Sequence, residues 1–266
     1  MTPPILMGIV NVTPDSFSDG GEWFEASAAI THGLELYSEG ARILDVGGES
    51  TRPGAQPVAP EEEHARAIPV VEALARTGAQ VSIDTSKLEV AQAALAAGAT
   101  YVNDVTAFRG NPELAALTAD AGAHCCLMHM LGEPRTMQTD PRYDDVVDEI
   151  KSFLSQRAEF AISQGIAQDK IDVDPGIGFG KTLEHNLELL RRLDEIVALG
   201  FRVLVGASRK SFIAKLDAAA SDPHDRVAAT TAANVLAYER GARVFRVHDV
   251  APARQALALA AATFDR

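Results

Sequence analysis

The 266-residue chain has almost no cysteine: only Cys125 and Cys126, adjacent to each other. A bridge between neighbours is strained and no third cysteine offers another pairing, which excludes a disulfide framework and makes a reducing, cytoplasmic setting the expectation. Positive charge is also sparse. There are 24 Lys and Arg against 37 Asp and Glu, a formal net charge of −13, and no basic run exceeds Arg191-Arg192 or Arg209-Lys210. A nucleic-acid-binding face needs clustered cations to neutralise phosphates, so no nucleic-acid partner is expected, and any anionic ligand must meet a few local cations. No apolar run reaches the ~20 residues of a membrane span. The opening Met1–Gly8 lacks the basic and long apolar regions of a signal peptide, so no membrane or secretory role is expected. Aromatic residues make up only 6% and apolar residues 47%, an aliphatic composition ordinary for a globular domain. Linkers, low-complexity tracts and composition shifts are missing too, so residues 1–266 read as a single domain.

What is present is alternation. Eight short β-rich runs fall near 5–11, 42–47, 80–84, 100–105, 123–129, 170–174, 202–207 and 243–248. Segments rich in Ala, Leu and Glu separate them, at 26–40, 61–77, 87–97, 112–121, 143–164, 183–199, 225–240 and 251–264. Gly40, Gly78, Gly98, Gly122, Gly165, Gly200 and Gly241 stand where helix C-caps want glycine. Strict βα alternation, eight times over, predicts a closed (β/α)8 TIM barrel. An open doubly wound sheet often has a glycine-rich loop after its first strand, whereas here Asn-Val-Thr-Pro-Asp follows.

Each strand ends on polar residues: Asn11, Asp45, Asp84, Asn103-Asp104, His129, Asp174, Ser208-Arg209-Lys210 and Arg246-Val247-His248. A barrel gathers those ends around one pocket, and burying an unpaired polar group costs roughly 1–3 kcal/mol, so eight such ends point to an active site at the C-terminal face. The sixth run continues as Asp174-Pro175-Gly176-Ile177-Gly178-Phe179-Gly180-Lys181. A phosphate-cradling P-loop needs glycine where Pro175 stands, and the dinucleotide fingerprint needs a different glycine spacing. The remaining reading is a strand that delivers Asp174 to a pocket floor before the chain turns sharply away. Long loops at 11–25 and 47–60, with a third at 130–142, are candidate lids.

The segments NVTPDSFSDGG (11–21), DVGGESTRPGA (45–55), IDTSK (83–87), NDV (103–105), DPGIGFGK (174–181), GASRKSF (206–212) and RVHDV (246–250), taken in this order, resemble the dihydropteroate synthase family over essentially the whole chain. The resemblance implies a transferase of folate biosynthesis. It condenses 6-hydroxymethyl-7,8-dihydropterin pyrophosphate with p-aminobenzoate, giving 7,8-dihydropteroate and pyrophosphate by dissociative substitution, and sulfonamides compete at the p-aminobenzoate site. It also implies roles for residues of this sequence. Asp84, Asn103, Val105, Met128, Asp174 and Lys210 would bind the pterin, with Asp84, Asp174 and Lys210 central to catalysis. Phe17, Thr51, Arg52, Pro53, Phe179 and Ser208 would form the p-aminobenzoate site. Arg246 and His248 would take the pyrophosphate, Asn11 would hold Mg²⁺, and the protein would be a homodimer. The implied roles agree with general chemistry: a guanidinium fork suits phosphate oxygens, and one protein oxygen with substrate phosphates suits magnesium.

Two neighbouring functions share parts of this pattern. A methyltetrahydrofolate:corrinoid methyltransferase barrel also carries a pterin-binding Asp and Asn, but needs neither Ser-Thr-Arg-Pro nor Arg-x-His. A pterin-binding paralogue without turnover would be expected to lose Asn11, Arg52 or Lys210. Several residues also have plainer readings. His129, His124 and the cysteines read as strand filler, and Lys181 and Glu61-Glu62-Glu63 as surface charge. Asp45 reads as support for the Gly-Gly turn, Lys87 as a first-turn residue, and Trp23 has no assignable role.

Overall fold

The computed structural model describes residues 3–13, 22–51 and 54–264, apart from the side chains of 22–25. Eight parallel strands close into a barrel in sequence order. They are β1 Ile5–Asn11, β2 Ile43–Gly47, β3 Gln80–Asp84, β4 Tyr101–Asp104, β5 His124–Met128, β6 Ile171–Asp174, β7 Arg202–Val205 and β8 Val244–Val247. The helices between and after them are α1 Glu22–Glu39, α2 Pro60–Ala75, α3 Leu88–Ala96, α4 Glu113–Asp120, α5 Val146–Ser163, α6 Leu183–Arg191, α7 Leu193–Val197, α8 Ser211–Leu216, α9 Val227–Glu239 and α10 Val250–Phe264. β1 pairs with β8 from Ile5↔Val244 to Gly8↔Val247, so the first and last strands are neighbours, as closure requires.

Strand side chains alternate between two environments, because successive Cβ atoms point to opposite faces. One parity packs outward under the helices, as Leu44, Val46, Ile83, Leu127, Val173 and Phe245 do. The other parity fills the barrel: Met7, Ile43, Tyr101, Cys126, Leu204 and Val244 form a separate plug, each at most 1% exposed. Below it, Asp172 accepts from the Tyr101 hydroxyl (2.5 Å) and from Arg202 Nε and Nη2 (2.6 and 2.9 Å). Two residues beyond the plug, on the same inward face, stand Asp45, Asn103, Met128 and Arg246. The plug is therefore the floor on which the site rests.

All seven glycines expected at helix ends take positive φ, from 60° at Gly122 to 114° at Gly40. A left-handed residue at that point lets the short αβ loop turn directly into the next strand. Two helical expectations need correction. The 183–199 segment is two helices, α6 and α7, broken at Arg192 (φ −110°, ψ 25°), whose guanidinium binds Glu195 and Asp145. The stretch after β7 carries the six-residue α8 and two 3₁₀ turns, at Ala218–Ala220 and Pro223–Arg226, which were not expected. Elements this short have too few turns to show a period in sequence.

Candidate active site

Asp45 organises the mouth of the barrel. It is fully buried, and its Oδ2 accepts from Asn103 Nδ2 (2.9 Å) and Arg246 Nε (2.6 Å). A carboxylate only accepts, so the Asn103 amide must turn its nitrogen toward Asp45, which leaves Oδ1 as the acceptor it can offer a ligand. Arg246 Nη2 also donates to Asp84 Oδ2 at 2.7 Å. Two faces of the guanidinium are thus committed to carboxylates, where the sequence suggested a fork open to phosphate. Burial opposes the charge on Arg246, yet Asp45 and Asp84 hold its guanidinium above the ordinary value. Burial pushes Asp84 up to about 7; Arg246 opposes the shift, and Asp45, Glu63 and Asp104 add to it.

Asp174 ends β6 beside Met128, with which it is in register, and only 5% of it is exposed. Burial raises its carboxyl to about 6, against the pull of the Gly176 N–H, Lys210, Lys181 and Arg246. The Gly176 N–H donates to Asp174 Oδ1 at 2.7 Å, so the turn after the strand holds the side chain that precedes it. Gly176 has φ 69°, and a Cβ there would lie 1.9 Å from the His129 carbonyl oxygen. That close approach requires glycine. Phe179 then reaches back to pack with Val105, Met128, Met130 and Met137 in a small apolar cluster at the mouth. Lys210 Nζ stands 3.8 Å from the Phe179 ring centroid, within cation–π range.

Ser208 and His248, which the resemblance assigns to different substrates, touch each other: Ser208 Oγ lies 2.9 Å from His248 Nδ1 and accepts the His248 backbone N–H at 3.2 Å. Between Ser208 and Lys210, Arg209 adopts φ 56°, uncommon for a residue with a side chain. Asp249 binds its guanidinium through two bonds (2.9 and 2.6 Å), Thr230 Oγ1 accepts its N–H and Arg226 donates to its carbonyl. These contacts hold the turn that presents Lys210.

Asn11 ends β1 half-buried, with the inward parity of Met7 and Ile9. Thr51 is half-buried at the start of the β2–α2 loop, while Phe17, Arg52 and Pro53 lie outside the described residues. The root of that loop is anchored by Lys87, which pairs with both Glu49 and Glu63, and by Arg66 Nη1 on the Gly48 carbonyl (3.0 Å). Glu63 is therefore not solvated surface: it is 1% exposed and in contact with Lys87. Lys181 is likewise buried, at 2% exposure, and binds His129. Loop 130–142, which carried no recognisable motif, contributes Met130 and Met137 to the mouth, and Gln138 donates to the Gly178 carbonyl at 2.6 Å. Strand parity was a usable signal for Asp45, two residues beyond Ile43. Lys181 follows a glycine loop with no periodicity, and nothing local marks it as buried.

A closed parallel barrel whose mouth combines buried carboxylates, an amide, an apolar shelf and two cations is a small-molecule enzyme of the barrel class, built for a ligand with both N–H groups and negative charge. The family model described as "pterin binding enzyme" matches residues 7–248. The dihydropteroate synthase of Neisseria meningitidis serogroup C is 48% identical over 262 residues, 96% of this chain and 90% of that protein. The solved dihydropteroate synthase of Xanthomonas albilineans with 4-aminobenzoic acid superposes with a TM-score of 0.92 at 48% identity, covering 98% of this chain and 93% of that one. That of Yersinia pestis with a sulfonamide drug gives 0.92 at 43% identity, covering 99% and 95%. The chain belongs to the dihydropteroate synthase family of pterin-binding enzymes.

Proposed function

We propose that the protein condenses 6-hydroxymethyl-7,8-dihydropterin pyrophosphate with p-aminobenzoate, releasing pyrophosphate and forming 7,8-dihydropteroate. The observation that carries this reading is the convergence of Asp84, Asn103, Asp174 and Arg246 from four strands on one mouth, in a chain that is 48% identical to a relative solved with 4-aminobenzoic acid. Asp174, with the Asn103 oxygen and Asp84, accepts the N–H groups of the pterin edge, and Lys210 donates to a pterin acceptor. Val105 and Met128 pack against the heterocycle. Thr51, Arg52, Pro53, Phe17, Phe179 and Ser208 hold the p-aminobenzoate.

The bond between the methylene carbon and the pyrophosphate oxygen breaks first, and the electron pair leaves with pyrophosphate. Arg246 and His248 take up the developing charge on the leaving group. The ring nitrogens delocalise the cation left on the methylene, and the buried carboxylates of Asp84 and Asp174 stabilise it. The aryl amine then bonds to the carbon and releases a proton. Such a weak nucleophile needs chiefly to be held close and kept from competition with water. Among the described residues no group of three acidic, His or Cys side chains could hold a metal by itself. The donors present fit a hard cation shared with substrate: Asn11 offers an amide oxygen at the mouth, while Asp45 and Asp84 are engaged by Arg246. Mg²⁺ bound there would neutralise phosphate charge.

Sulfonamides would occupy the p-aminobenzoate site, a reading supported by the relative solved with one. A homodimer is supported by the exposed Leu236 (52%) on α9 and Leu259 (72%) on the adjoining α10. Among the described residues no helix is long and apolar enough to cross a membrane, and the unbridged cysteines support a cytoplasmic protein. Incubation with the pterin pyrophosphate, p-aminobenzoate and Mg²⁺ should release pyrophosphate and form dihydropteroate. Chelation or Asn11→Ala should suppress turnover. Pterin binding without any product would instead identify a paralogue that binds but does not react.

A further inference from the structure

Lys181 is a lysine where a lysine is costly. The residue is 2% exposed, behind the loop that links β6 to α6, and an ammonium removed from water is unfavourable unless acceptors and a counter-charge replace the solvent. Its acceptors are specific. Nζ donates to the Phe179 carbonyl at 2.9 Å and to the His129 carbonyl at 3.4 Å, and it faces His129 Nδ1 at 3.1 Å. Three acceptors match the three protons of an ammonium, and Nδ1 must then accept, which puts the imidazole proton on Nε2. Its burial, and after that the cations Lys181 and Arg109, keep that ring neutral. The ring is wedged edge-on against Phe153, with centroids 4.9 Å apart, so it is a fixed acceptor.

The carbonyls held by Nζ lie on the two segments that meet beside Asp174, the end of β5 and the loop after β6. His129 donates its backbone N–H to the Asp174 carbonyl at 3.0 Å, and its own carbonyl oxygen is the atom against which Gly176 is pressed. Phe179 lies under Lys210. One residue beyond Lys181, Thr182 caps α6 in a reciprocal box with His185, which fixes the backbone from which the lysine reaches back. Burial lowers the Lys181 ammonium to about 7, with Lys210 adding to the shift; the Asp174 carboxylate, which also faces Lys210 and Arg246, opposes it and favours the charged form.

We propose that Lys181 is a positioning residue of the pterin pocket: through the Phe179 carbonyl and His129 it clamps the 175–180 loop against the end of β5, and so fixes where Asp174 and Phe179 stand. The inference rests on the reading of Asp174 as the pterin acceptor. Lys181 touches no substrate; it acts through the residues that do.

Calorimetry with the dihydropterin pyrophosphate and Mg²⁺ tests it, using the full-length protein. Wild-type protein must bind first; if it does not, the assignment of function fails rather than the clamp. Given binding, Lys181→Met should keep a cooperative melt and weaken the pterin about tenfold or more, as expected on losing a charged hydrogen bond. Because the same clamp places Phe179 of the p-aminobenzoate site, the KM for p-aminobenzoate at saturating pterin should rise as well. In Lys181→Ala, propylammonium should restore pterin affinity and propan-1-ol should not. Wild-type pterin affinity in Lys181→Met, or equal rescue by the alcohol, would overturn the clamp. If neither lysine variant folds, the acceptor decides the question: His129→Leu should lose affinity, His129→Asn, with an oxygen near the Nδ1 position, should retain it, and equal behaviour of the two would overturn the proposal.

Discussion

Arg246 Nε sits 2.6 Å from Asp45 Oδ2 across 201 residues of chain, reaching from β8 past β1 to β2. The same oxygen binds Asn103 on β4, and the same guanidinium binds Asp84 on β3. One buried carboxylate therefore aligns an amide and a cation that are both assigned to substrate. Asp45→Asn should leave the shape of the pocket while weakening both anchors. Its kcat/KM is expected to fall at least tenfold, comparable to the cost of removing a charged hydrogen bond, and its Tm to drop. Pyrophosphate release and thermal denaturation measure the two effects.

Asp174 links function and stability in opposite senses. Its carboxyl is raised from 3.8 to about 6, so between those values the folded protein binds more protons than the unfolded chain, and stability falls as pH rises through that window. At neutral pH the ionised, buried group costs on the order of 3 kcal/mol by the usual conversion of such a shift. Asp174→Asn should raise the Tm above pH 6 by an amount that shrinks towards pH 4, and should abolish pterin binding. In the wild-type protein pterin affinity should decline as pH falls through about 6. A Tm gain that does not vary with pH would refute this account.

Gly176→Ala tests the close approach of two loops. The added Cβ would meet the His129 carbonyl oxygen, backbone rather than a movable side chain, at a φ of 69°. Relief requires the turn to shift, and Asp174 is bonded to that turn. The expected outcome is a loss of stability of about 2 kcal/mol or more, with loss of pterin binding, read by denaturant titration and calorimetry.

Lys87→Met should separate the two substrates. Without Lys87, Glu63 becomes a buried carboxylate with no counter-ion and Glu49 is released. Breaking a buried pair costs roughly 3–5 kcal/mol, and here the damage falls at the root of the loop that carries Thr51 and Arg52. The KM for p-aminobenzoate is expected to rise several-fold while pterin affinity stays near wild type. Steady-state kinetics and calorimetry distinguish the two.

The alternation of strands and helices, the glycines at helix ends and the polar residue closing each strand were legible in the chain itself, because each is a local consequence of backbone geometry. Asp84, Asn103 and Asp174 stand at or next to strand ends and were accessible in the same way. Which polar residues engage one another was not. Asp45 read as turn support, Arg246 as an open fork, and Glu63 and Lys181 as surface charge. Each has its decisive partner on another element: Arg246 for Asp45, Lys87 for Glu63, His129 for Lys181. Periodicity reports which face a residue occupies and nothing about what stands opposite. The chain by itself determined a barrel with a ring of polar strand ends. Closing that barrel decided which charges are buried, because only the packed structure removes water from them and supplies the partner that replaces it.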